Sequence, residues 1–413
     1  MSLLKIIRND LELLAPAGDW ERLEMALCYG ADAVYLAGTE FGMRASAGNF
    51  DNDGLRRAIE LAHSMGRKVY VTCNTLPRED ELNRLPGFLT FLQEAGADAL
   101  IIADLGVLAL AKRFAPNVSV HVSTQLGVVN SATANVLHAM GADTVVLARE
   151  LPIEEIRKIR ANTPSELRLE AFVHGAMCVS FSGRCLLSNY MTGRDANRGY
   201  CAQPCRWKYS LVEEKRPGQY FDIEEEPEGT YIMNSNDLCM IAHLQELADA
   251  GVSSFKIEGR MKSAYYAAVV TNAYRHALDA VAAGKPVPEI WVRETEMVSH
   301  RPYTTGFYFG GEPGQHTGEG TYASGADVVA VVESCEEDGY AVVTQRNKFA
   351  AGDKLELLCR DVKPVSFVAG ELRDEEGGLI EDARHPMMTV RMRLPCKAER
   401  FAIVRKAKEE HFS

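Results

Sequence analysis

Four cysteines lie close together in the sequence, at a spacing that suits a bound metal group. They are Cys178, Cys185, Cys201 and Cys205, in the pattern C-x6-C-x15-C-x3-C. Structural zinc sites usually take their thiolates from tight C-x2-4-C pairs, which the x6 gap does not match, whereas an iron–sulfur cluster tolerates wider gaps. The spacing therefore favours an iron–sulfur cluster. Zinc and unligated thiols are the alternatives, and Cys239 is a possible substitute ligand.

Basic residues surround these cysteines and recur near the end of the chain. The first stripe consists of Arg184, Arg194, Arg198, Arg206 and Lys208, with Asp195 as the acid among them. The second stripe consists of Arg391, Arg393, Lys397, Arg400, Arg405, Lys406 and Lys408, opposed by Glu399. Each phosphate that such residues neutralise releases counterions and adds affinity that depends on salt. The two stripes make RNA a plausible ligand, with an ordinary solvated surface as the alternative.

Charge and hydropathy exclude several classes of protein. The 413 residues carry a net charge of −12, which argues against a broad basic surface but not against a local one. No stretch approaches the roughly 18 apolar residues of a membrane span, and the first residues lack the cleavage site of a secretory signal. We therefore expect a cytoplasmic protein with no membrane partner. Disulfides are rare in that compartment, so clustered thiols indicate metal or redox chemistry.

One unit recurs along the first 260 residues: a helix ends at a glycine and a short apolar strand follows at once. Examples are GADAVY at 30–35, GADALI at 96–101, GADTVV at 141–146 and, more loosely, GVSSFK at 251–256. Glycine closes a helix readily because it adopts the left-handed conformation. Further strand patterns lie at 12–15, 68–74, 118–123 and 167–173. Eight strands alternating with helices predict a (β/α)8 TIM-like barrel, with a doubly wound open sheet as the alternative.

The length predicts two domains, because one hydrophobic core stops growing at roughly 250–300 residues. We assign the barrel to residues 1–300. A Cys-rich insertion at 175–234 interrupts it and contains a predicted hairpin of 207–213 with 229–233. Short alternating strands separated by glycine turns predict a small C-terminal β-barrel at 301–413.

The predicted barrel has an unusually polar interior. Alternate residues of a strand face opposite sides, and the apolar set must cover the helices. The interior face then carries Tyr70, Thr72 and Asn74; Ser119, His121 and Ser123; Arg168, Glu170, Phe172 and His174; and Lys256 and Glu258. Burying an unpaired polar group costs about 1–3 kcal/mol. This large number of polar residues in the barrel interior therefore indicates a functional site. We expect Asn74, His174, Glu258 and Arg260 near the C-terminal mouth. A self-paired structural network is the alternative.

The chain contains the segments ELLAPAG (12–18), GADAVY (30–35) followed by Arg44 and Asn49-Phe50, EAFVHGAMC (170–178), SGRC (182–185) and KIEGR (256–260). In these segments the chain resembles the peptidase U32 family. The segment RGYCAQPCR at 198–206 and the C-terminal β-domain are most similar to those of the branch of the family that hydroxylates tRNA. The resemblance runs over nearly the whole chain.

This resemblance implies an enzyme of tRNA modification, which hydroxylates the wobble uridine to 5-hydroxyuridine in a prephenate-dependent reaction. It also implies a [4Fe–4S] cluster held by the four cysteines. We expect Arg44 and Arg260 to bind the carboxylates of a small dianion such as prephenate, because a planar guanidinium matches a carboxylate bidentately. His174 and Glu258 are the expected proton carriers. The other substrate-binding candidates are Asn74, His121, Gln125, Glu170 and Lys256.

The expected partners are tRNA and a small dicarboxylate metabolite, with a homologous partner subunit as a further candidate. Two other function classes stay open. One is a U32-type peptidase, similar to collagenase-like proteases, although the sequence has no His-Glu-x-x-His zinc helix and no Gly-x-Ser-x-Gly elbow. The other is an iron–sulfur scaffold without catalytic activity, which a polar barrel interior disfavours.

Overall fold

The computed structural model describes residues 11–43, 48–178, 180–207, 235–311 and 323–408. Its first nine strands are β1 (Glu12–Pro16), β2 (Ala33–Ala37), β3 (Lys68–Cys73), β4 (Ala99–Ile102), β5 (Ser119–Val122), β6 (Thr144–Val146), β7 (Arg168–Ala176), β8 (Asp237–Cys239) and β9 (Ser254–Ile257). Strands β1 to β7 are parallel neighbours, and β9 pairs with both β7 and β1. The predicted barrel is therefore confirmed, and the open-sheet alternative is wrong.

Helices fill the connections between the strands. They are α1 (Trp20–Cys28), α2 (Asn52–Ser64), α3 (Glu79–Leu82), α4 (Leu85–Glu94), α5 (Leu105–Phe114), α6 (Ser131–Ala139), α7 (Ile153–Ala161), α8 (Leu187–Thr192), α9 (Leu244–Asp249), α10 (Ala264–Ala282) and α11 (Glu289–Glu294). The glycines of the recurring unit have positive φ, with Gly30 at +99° and Gly141 at +101°. They close the helices as the sequence predicts. Within the described ranges, each helix is too short or too polar to span a lipid bilayer.

The C-terminal part is an antiparallel β structure, as the sequence predicts. After β10 (Tyr303–Thr304), its strands are β11 (Ala326–Cys335), β12 (Tyr340–Gln345), β13 (Phe349–Ala350), β14 (Lys354–Leu358), β15 (Val365–Val368), β16 (Leu372–Arg373), β17 (Leu379–Ile380), β18 (Asp382–Ala383), β19 (Thr389–Arg393) and β20 (Ile403–Ala407). Eight of them form one sheet in the order β15-β14-β20-β11-β12-β19-β16-β17, and β13 pairs with β18. The sheet packs around its own apolar core, which includes Val332, Val343 and Val404.

The described part of the Cys-rich insertion, 180–207, is built from short turns of helix. Besides α8 it contains the 3-10 turns Phe181–Gly183, Ala196–Arg198 and Pro204–Arg206. The Glu150 carboxylate, which follows β6, accepts hydrogen bonds from the backbone N–H of Ser182 at 2.6 Å and from its hydroxyl at 2.8 Å. Arg198 donates to Glu81 at 2.7 Å. These contacts hold the segment on the barrel. The predicted hairpin lies outside the described residues, apart from Trp207.

Arg405 corrects the interpretation of the C-terminal basic stripe. Its side chain is 1% exposed and donates to Glu294 of α11 at 2.7 and 2.8 Å and to Glu356 of β14 at 2.9 Å. It joins the two domains instead of facing solvent. The stripe also has more acidic neighbours than the sequence indicates. Four more of its basic side chains have a carboxylate within 4 Å. The pairs are Lys397 with Glu337, Arg400 with Glu333, Lys406 with Asp353 and Lys408 with Asp327.

We expect the substitution Arg405→Leu to lower the free energy of unfolding by about 3–5 kcal/mol, because it leaves Glu294 buried without its charge partner. A urea denaturation curve measures the change. Lys406→Leu is the matched control on the same strand. In its ion pair with Asp353 the Lys406 side chain is 49% exposed and that of Asp353 24% exposed, so loss of the pair should cost less than about 1 kcal/mol. Equal effects of the two substitutions would contradict a buried clasp at Arg405.

Candidate active site

The C-terminal ends of the barrel strands surround a cavity of about 590 Å³, which is within the usual range for small-molecule sites. The structure brings most of the predicted site residues to its wall. They are Asn74, Gln125, Lys256, Glu258, Arg260 and the four cysteines Cys178, Cys185, Cys201 and Cys205. His121, Glu170, His174 and Cys239 are not part of this wall. Arg44 lies outside the described residues.

Arg149 is a cavity residue that the sequence reasoning missed. It follows β6, and its guanidinium lies 3.8 Å from the centre of the Phe172 ring. One guanidinium nitrogen donates to the carbonyl of Ala176 at 3.0 Å, and the other lies 3.5 Å from the Glu258 carboxylate. Stacking and hydrogen bonds together fix the plane of the guanidinium. The signal available in the sequence was its position just after a barrel strand, where active-site residues of this fold lie.

Arg260 follows Glu258 by two residues in the sequence, and close packing holds it in place. Its side chain is buried, and one guanidinium nitrogen lies 3.5 Å from the Thr72 hydroxyl. The loop after β1 packs against its backbone so closely that a Cβ at Gly18 would be 2.1 Å from the Arg260 carbonyl oxygen. Only glycine fits there without displacing the backbone. The ELLAPAG and KIEGR segments therefore meet at the cavity.

Two side-chain amides form a fixed polar part of the wall. The Asn74 amide donates to the side-chain oxygen of Gln125 at 2.9 Å, and the Ser123 hydroxyl donates to the same oxygen at 3.1 Å. The Gln125 amide in turn donates to the Asn74 carbonyl at 3.2 Å. These mutual bonds fix which groups are donors and which are acceptors. The wall thus presents a defined hydrogen-bonding pattern to a ligand.

The layer below the cavity is a self-paired network. Glu170 is completely buried and accepts hydrogen bonds from Lys256 at 2.7 Å and from Ser254 at 3.2 Å. Ser254 also lies 3.0 Å from Glu12, which accepts a second bond from Tyr70 at 2.7 Å. The structural alternative that the sequence left open therefore describes this lower layer. Lys256 connects the network to the cavity, since its ammonium also lies 4.7 Å from the centre of the Tyr35 ring.

The predicted position of His174 is wrong. Strand β7 contains a bulge between Phe172 and His174 where it pairs with β9, and the extra residue reverses the alternation of side chains. His174 consequently aligns with the core residue Ile257 and lies outside the barrel interior. Its ring nitrogens are 3.2 Å from the Tyr274 hydroxyl of α10 and 3.4 Å from the Tyr303 hydroxyl. Burial lowers the pKa of His174 to about 3, so its imidazole is neutral near pH 7.

His121 faces the barrel interior as predicted, but it lies in the lower layer. It packs edge-on against Tyr70, with ring centres 4.5 Å apart, and burial lowers its pKa to about 3. Within the described residues its Nδ1 has no hydrogen-bond partner. The neutral imidazole is therefore a packing group of the barrel, beneath the cavity wall.

This burial predicts a pH dependence of stability. In the unfolded chain His121 titrates near pH 6.5, whereas in the folded chain its pKa is about 3. The unfolded state therefore binds the extra proton first as pH falls from 6.5 towards 3, and it gains up to about 1.4 kcal/mol per pH unit. We expect His121→Leu to lose less stability than the wild type between pH 7 and 4.5 in urea titrations. The exposed His63→Leu is the control, and identical pH profiles for all three proteins would contradict the assignment.

The four cysteines of the insertion share the cavity wall. Cys178 and Cys201 are exposed, and Cys185 and Cys205 are partly buried. The backbone N–H of Leu187 points to the sulfur of Cys185 at 3.3 Å, and that of Gln203 points to the sulfur of Cys201 at 3.4 Å. Sulfur atoms that bind an iron–sulfur cluster also accept hydrogen bonds of this kind. The donor set therefore fits a thiolate-bound group.

The arrangement differs from that of a single-ion site. Among the residues that the structure describes, no three His, Cys, Asp or Glu side chains lie close enough together to hold one metal ion. In a [4Fe–4S] cluster each cysteine binds a different iron, so its thiolates stand farther apart than those around one zinc ion.

Cys239 is separate from the other four. Its buried thiol packs 3.9 Å from the Tyr274 hydroxyl and 3.8 Å from that of Thr295, and burial raises its pKa.

Comparisons with known proteins agree on one family. The sequence matches the family described as Peptidase family U32 over residues 18–318 and the Peptidase family U32 C-terminal domain over 324–405. It is 37% identical to tRNA hydroxylation protein P1 of Bacillus subtilis (strain 168), over 98% of this chain and 96% of the relative. A 23S rRNA 5-hydroxycytidine synthase of Escherichia coli (strain K12) is 38% identical, over 74% of this chain and 46% of its own length. A protein of Porphyromonas gingivalis named collagenase is 36% identical, over 77% of this chain and 78% of the relative.

Proposed function

The chain belongs to peptidase family U32, and from that premise we propose that it hydroxylates a pyrimidine of RNA. The substrate in this proposal is tRNA, and the product is 5-hydroxyuridine at the wobble position. The names of two relatives, a tRNA hydroxylation protein and an rRNA 5-hydroxycytidine synthase, support this chemistry. The observation that carries the proposal is that four thiols and four cationic side chains line the same cavity at the barrel mouth.

The co-substrate in this proposal is a small dicarboxylate, with prephenate as the specific candidate. The charged side chains of the cavity wall are Arg149, Lys256, Arg260 and Lys262, against the single carboxylate of Glu258. Glu170 pairs with Lys256, and Asp237 lies 3.9 Å from Lys262, so the proposed anion site relies on the guanidinium groups of Arg149 and Arg260. The guanidinium groups suit carboxylates because they donate two parallel hydrogen bonds. Arg44 is a further candidate for the same role.

The four insertion cysteines are the proposed ligands of a [4Fe–4S] cluster. When bound, such a cluster would supply electron transfer at the cavity mouth. Cys185 and Cys201 are prepared for this role because each sulfur already accepts a backbone N–H. The position of Cys205 on the cavity wall, and that of Cys239 outside it, supports Cys205 as the fourth ligand.

Glu258 is the proposed proton carrier of the cavity. Its carboxylate is 17% exposed and lies 3.5 Å from a guanidinium nitrogen of Arg149. A carboxylate on the cavity wall can reach a bound substrate and exchange a proton with it. His174, which the sequence paired with Glu258 in this role, is left as a packing residue because the bulge in β7 turns it away.

A peptidase activity has weaker support. A histidine base would need a serine or cysteine nucleophile within hydrogen-bonding distance. The buried His174 lies next to tyrosine hydroxyls, and the pKa of Tyr274 is raised well above its ordinary value by burial. Such a hydroxyl stays protonated near pH 7. The hydrogen-bond partners that the structure describes for His174 are therefore tyrosine hydroxyls and not a serine or cysteine nucleophile.

Mass spectrometry of tRNA nucleosides tests the proposal. Cells that lack the gene are expected to lose 5-hydroxyuridine and its derivatives, and the gene supplied on a plasmid should restore them. The strain must have no redundant pathway, and iron and zinc should be assayed after purification under strict exclusion of air. Unchanged modified nucleosides in the deletion strain would reject the proposal. In that case casein or gelatin cleavage by the same preparation would favour the peptidase.

A further inference from the structure

We propose that the exposed face of the insertion is a docking surface for a single-stranded RNA loop. The side chains that we assign to this face are Arg184, Leu186, Tyr190, Arg194, Tyr200 and Trp207, each of which is exposed. The proposal rests on the proposed function and deepens it, because it states how the RNA is held and which form of RNA is accepted.

The first step is the exposure of large apolar side chains. Leu186 is 76% exposed, Tyr190 is 86% exposed and Tyr200 is 52% exposed. Single exposed apolar residues are common on protein surfaces and need no explanation. Here they recur within one short segment, together with Trp207 at 42%. Aromatic rings that are left in solvent are suited to stacking on unpaired bases.

The second step is charge. The segment 178–207 carries four arginines and one aspartate in a chain whose net charge is −12. Arg184 and Arg194 are exposed, and neither has an ion-pair partner among the residues that the structure describes. Arginines of this kind are available for phosphate groups, and they also stack on bases. The alternation of arginines and aromatic rings thus matches both parts of a nucleotide.

The third step is position. The exposed residues alternate along the chain with residues that line the cavity: Leu186 lies between Cys185 and Leu187, and Tyr200 between Gly199 and Cys201. An RNA segment bound on this face is therefore next to the cavity mouth. Enzymes that modify a base must take it out of its stack and turn it into a pocket. Stacking rings at the rim would hold the neighbouring bases while one base enters.

These features favour an RNA loop over a duplex or a protein partner. The bases of a duplex are stacked inside, where rings on the protein surface do not reach them, whereas a loop presents unpaired bases. Protein interfaces are also enriched in Tyr, Trp and Arg, so the choice of RNA over a protein partner rests on the position of these residues beside the cavity. A loop that exposes its wobble nucleotide has the chemistry that this face recognises.

Binding and turnover measured on the full, iron-loaded chain test this inference. The probes are a fluorescent anticodon stem-loop RNA and a blunt duplex of the same length. We expect the wild type to bind the stem-loop more tightly than the duplex. Tyr190→Ala and Arg194→Ala should each weaken stem-loop binding about tenfold or more, whereas Tyr190→Phe keeps the ring and should bind normally. Arg113→Ala, at the end of α5 on the far side of the barrel, is the matched arginine control.

The outcomes separate this inference from the proposed function. If the wild type hydroxylates RNA and both alanine variants bind the stem-loop as tightly as the wild type, the docking surface is overturned and the proposed function stands. If both alanine variants bind the stem-loop more weakly but the wild type hydroxylates no RNA, the docking surface is supported and the proposed function is rejected. Normal RNA binding with a changed oligomeric state in the variants would show that the face binds protein, and that result also overturns the inference. Iron content and the urea midpoint confirm that the variants are folded.

Discussion

Replacing Cys185 with serine is expected to remove the iron and the RNA hydroxylation together. The Cys185 sulfur lines the cavity and accepts the Leu187 N–H, and the substitution replaces a soft thiolate with a hydroxyl that binds iron poorly. Loss of residues that merely support a metal ligand costs about 10–100-fold, so loss of a ligand itself should leave less than about 1% of the wild-type rate. Iron assay, visible absorption and nucleoside mass spectrometry measure the effect.

Two other cysteines provide matched controls for this substitution. Cys396 is exposed in the C-terminal domain, and Cys396→Ser should retain iron and activity. Cys239 packs against Tyr274 outside the cavity wall, so Cys239→Ser should also retain its iron, whereas Cys205→Ser should lose it. Loss of iron from the Cys239 variant with retention in the Cys205 variant would assign the fourth ligand to Cys239. Full iron in the Cys185 variant would reject the cluster site.

The second large effect is expected from Arg260→Ala. The buried guanidinium lines the cavity, and removing one partner of a buried, hydrogen-bonded charge pair costs about 2–5 kcal/mol. We therefore expect the rate at low co-substrate concentration to fall about 30-fold to several-thousand-fold. Arg260→Lys keeps the charge without the bidentate geometry and should lie between the alanine variant and the wild type.

The readouts distinguish binding from structural damage. The iron content of the Arg260→Ala protein should be normal, because the side chain is not a thiolate ligand. The concentration of prephenate that gives half of the maximal rate should rise much more than the corresponding concentration of tRNA. An unchanged dependence on prephenate, or equal losses for both substrates, would contradict the role of Arg260 in holding the small anion.

The barrel could be predicted because its signals are local. A glycine that must adopt positive φ lies at the end of a helix, and the next apolar residues are buried in a strand, as Gly30 and Gly141 illustrate. The cysteine cluster could also be located, because all four residues lie in one loop that leaves the end of β7. Their meeting at one cavity follows from the fold, since the C-terminal ends of parallel strands share one side of a barrel.

The positions of His174 and Arg149 could not be predicted in the same way. The pattern of apolar residues in β7 alternates regularly through Val173, and a bulge inserts one residue that alternation does not show. Regular alternation therefore places His174 on the wrong face of the strand. Arg149 lies in a loop after the short strand β6, where no periodic pattern marks the direction of a side chain.

Arg405 illustrates a third limit of sequence reasoning. On β20 it stands among charged residues and reads as part of a basic surface, yet its partner Glu294 is 111 positions away in another domain. Long-range pairs of this kind are invisible to local patterns. Only the docking of the C-terminal sheet on the barrel reveals that the charge is buried.

Closure of the barrel by β9 also has a consequence for biosynthesis. Strand β9 pairs with β7 on one side and with β1 on the other, so both of these strands have an unpaired edge until residue 257 has left the ribosome. Unpaired edges are templates for aggregation. A nascent chain of this length should therefore depend on chaperones that shield strand edges, and truncation before β9 should yield insoluble product.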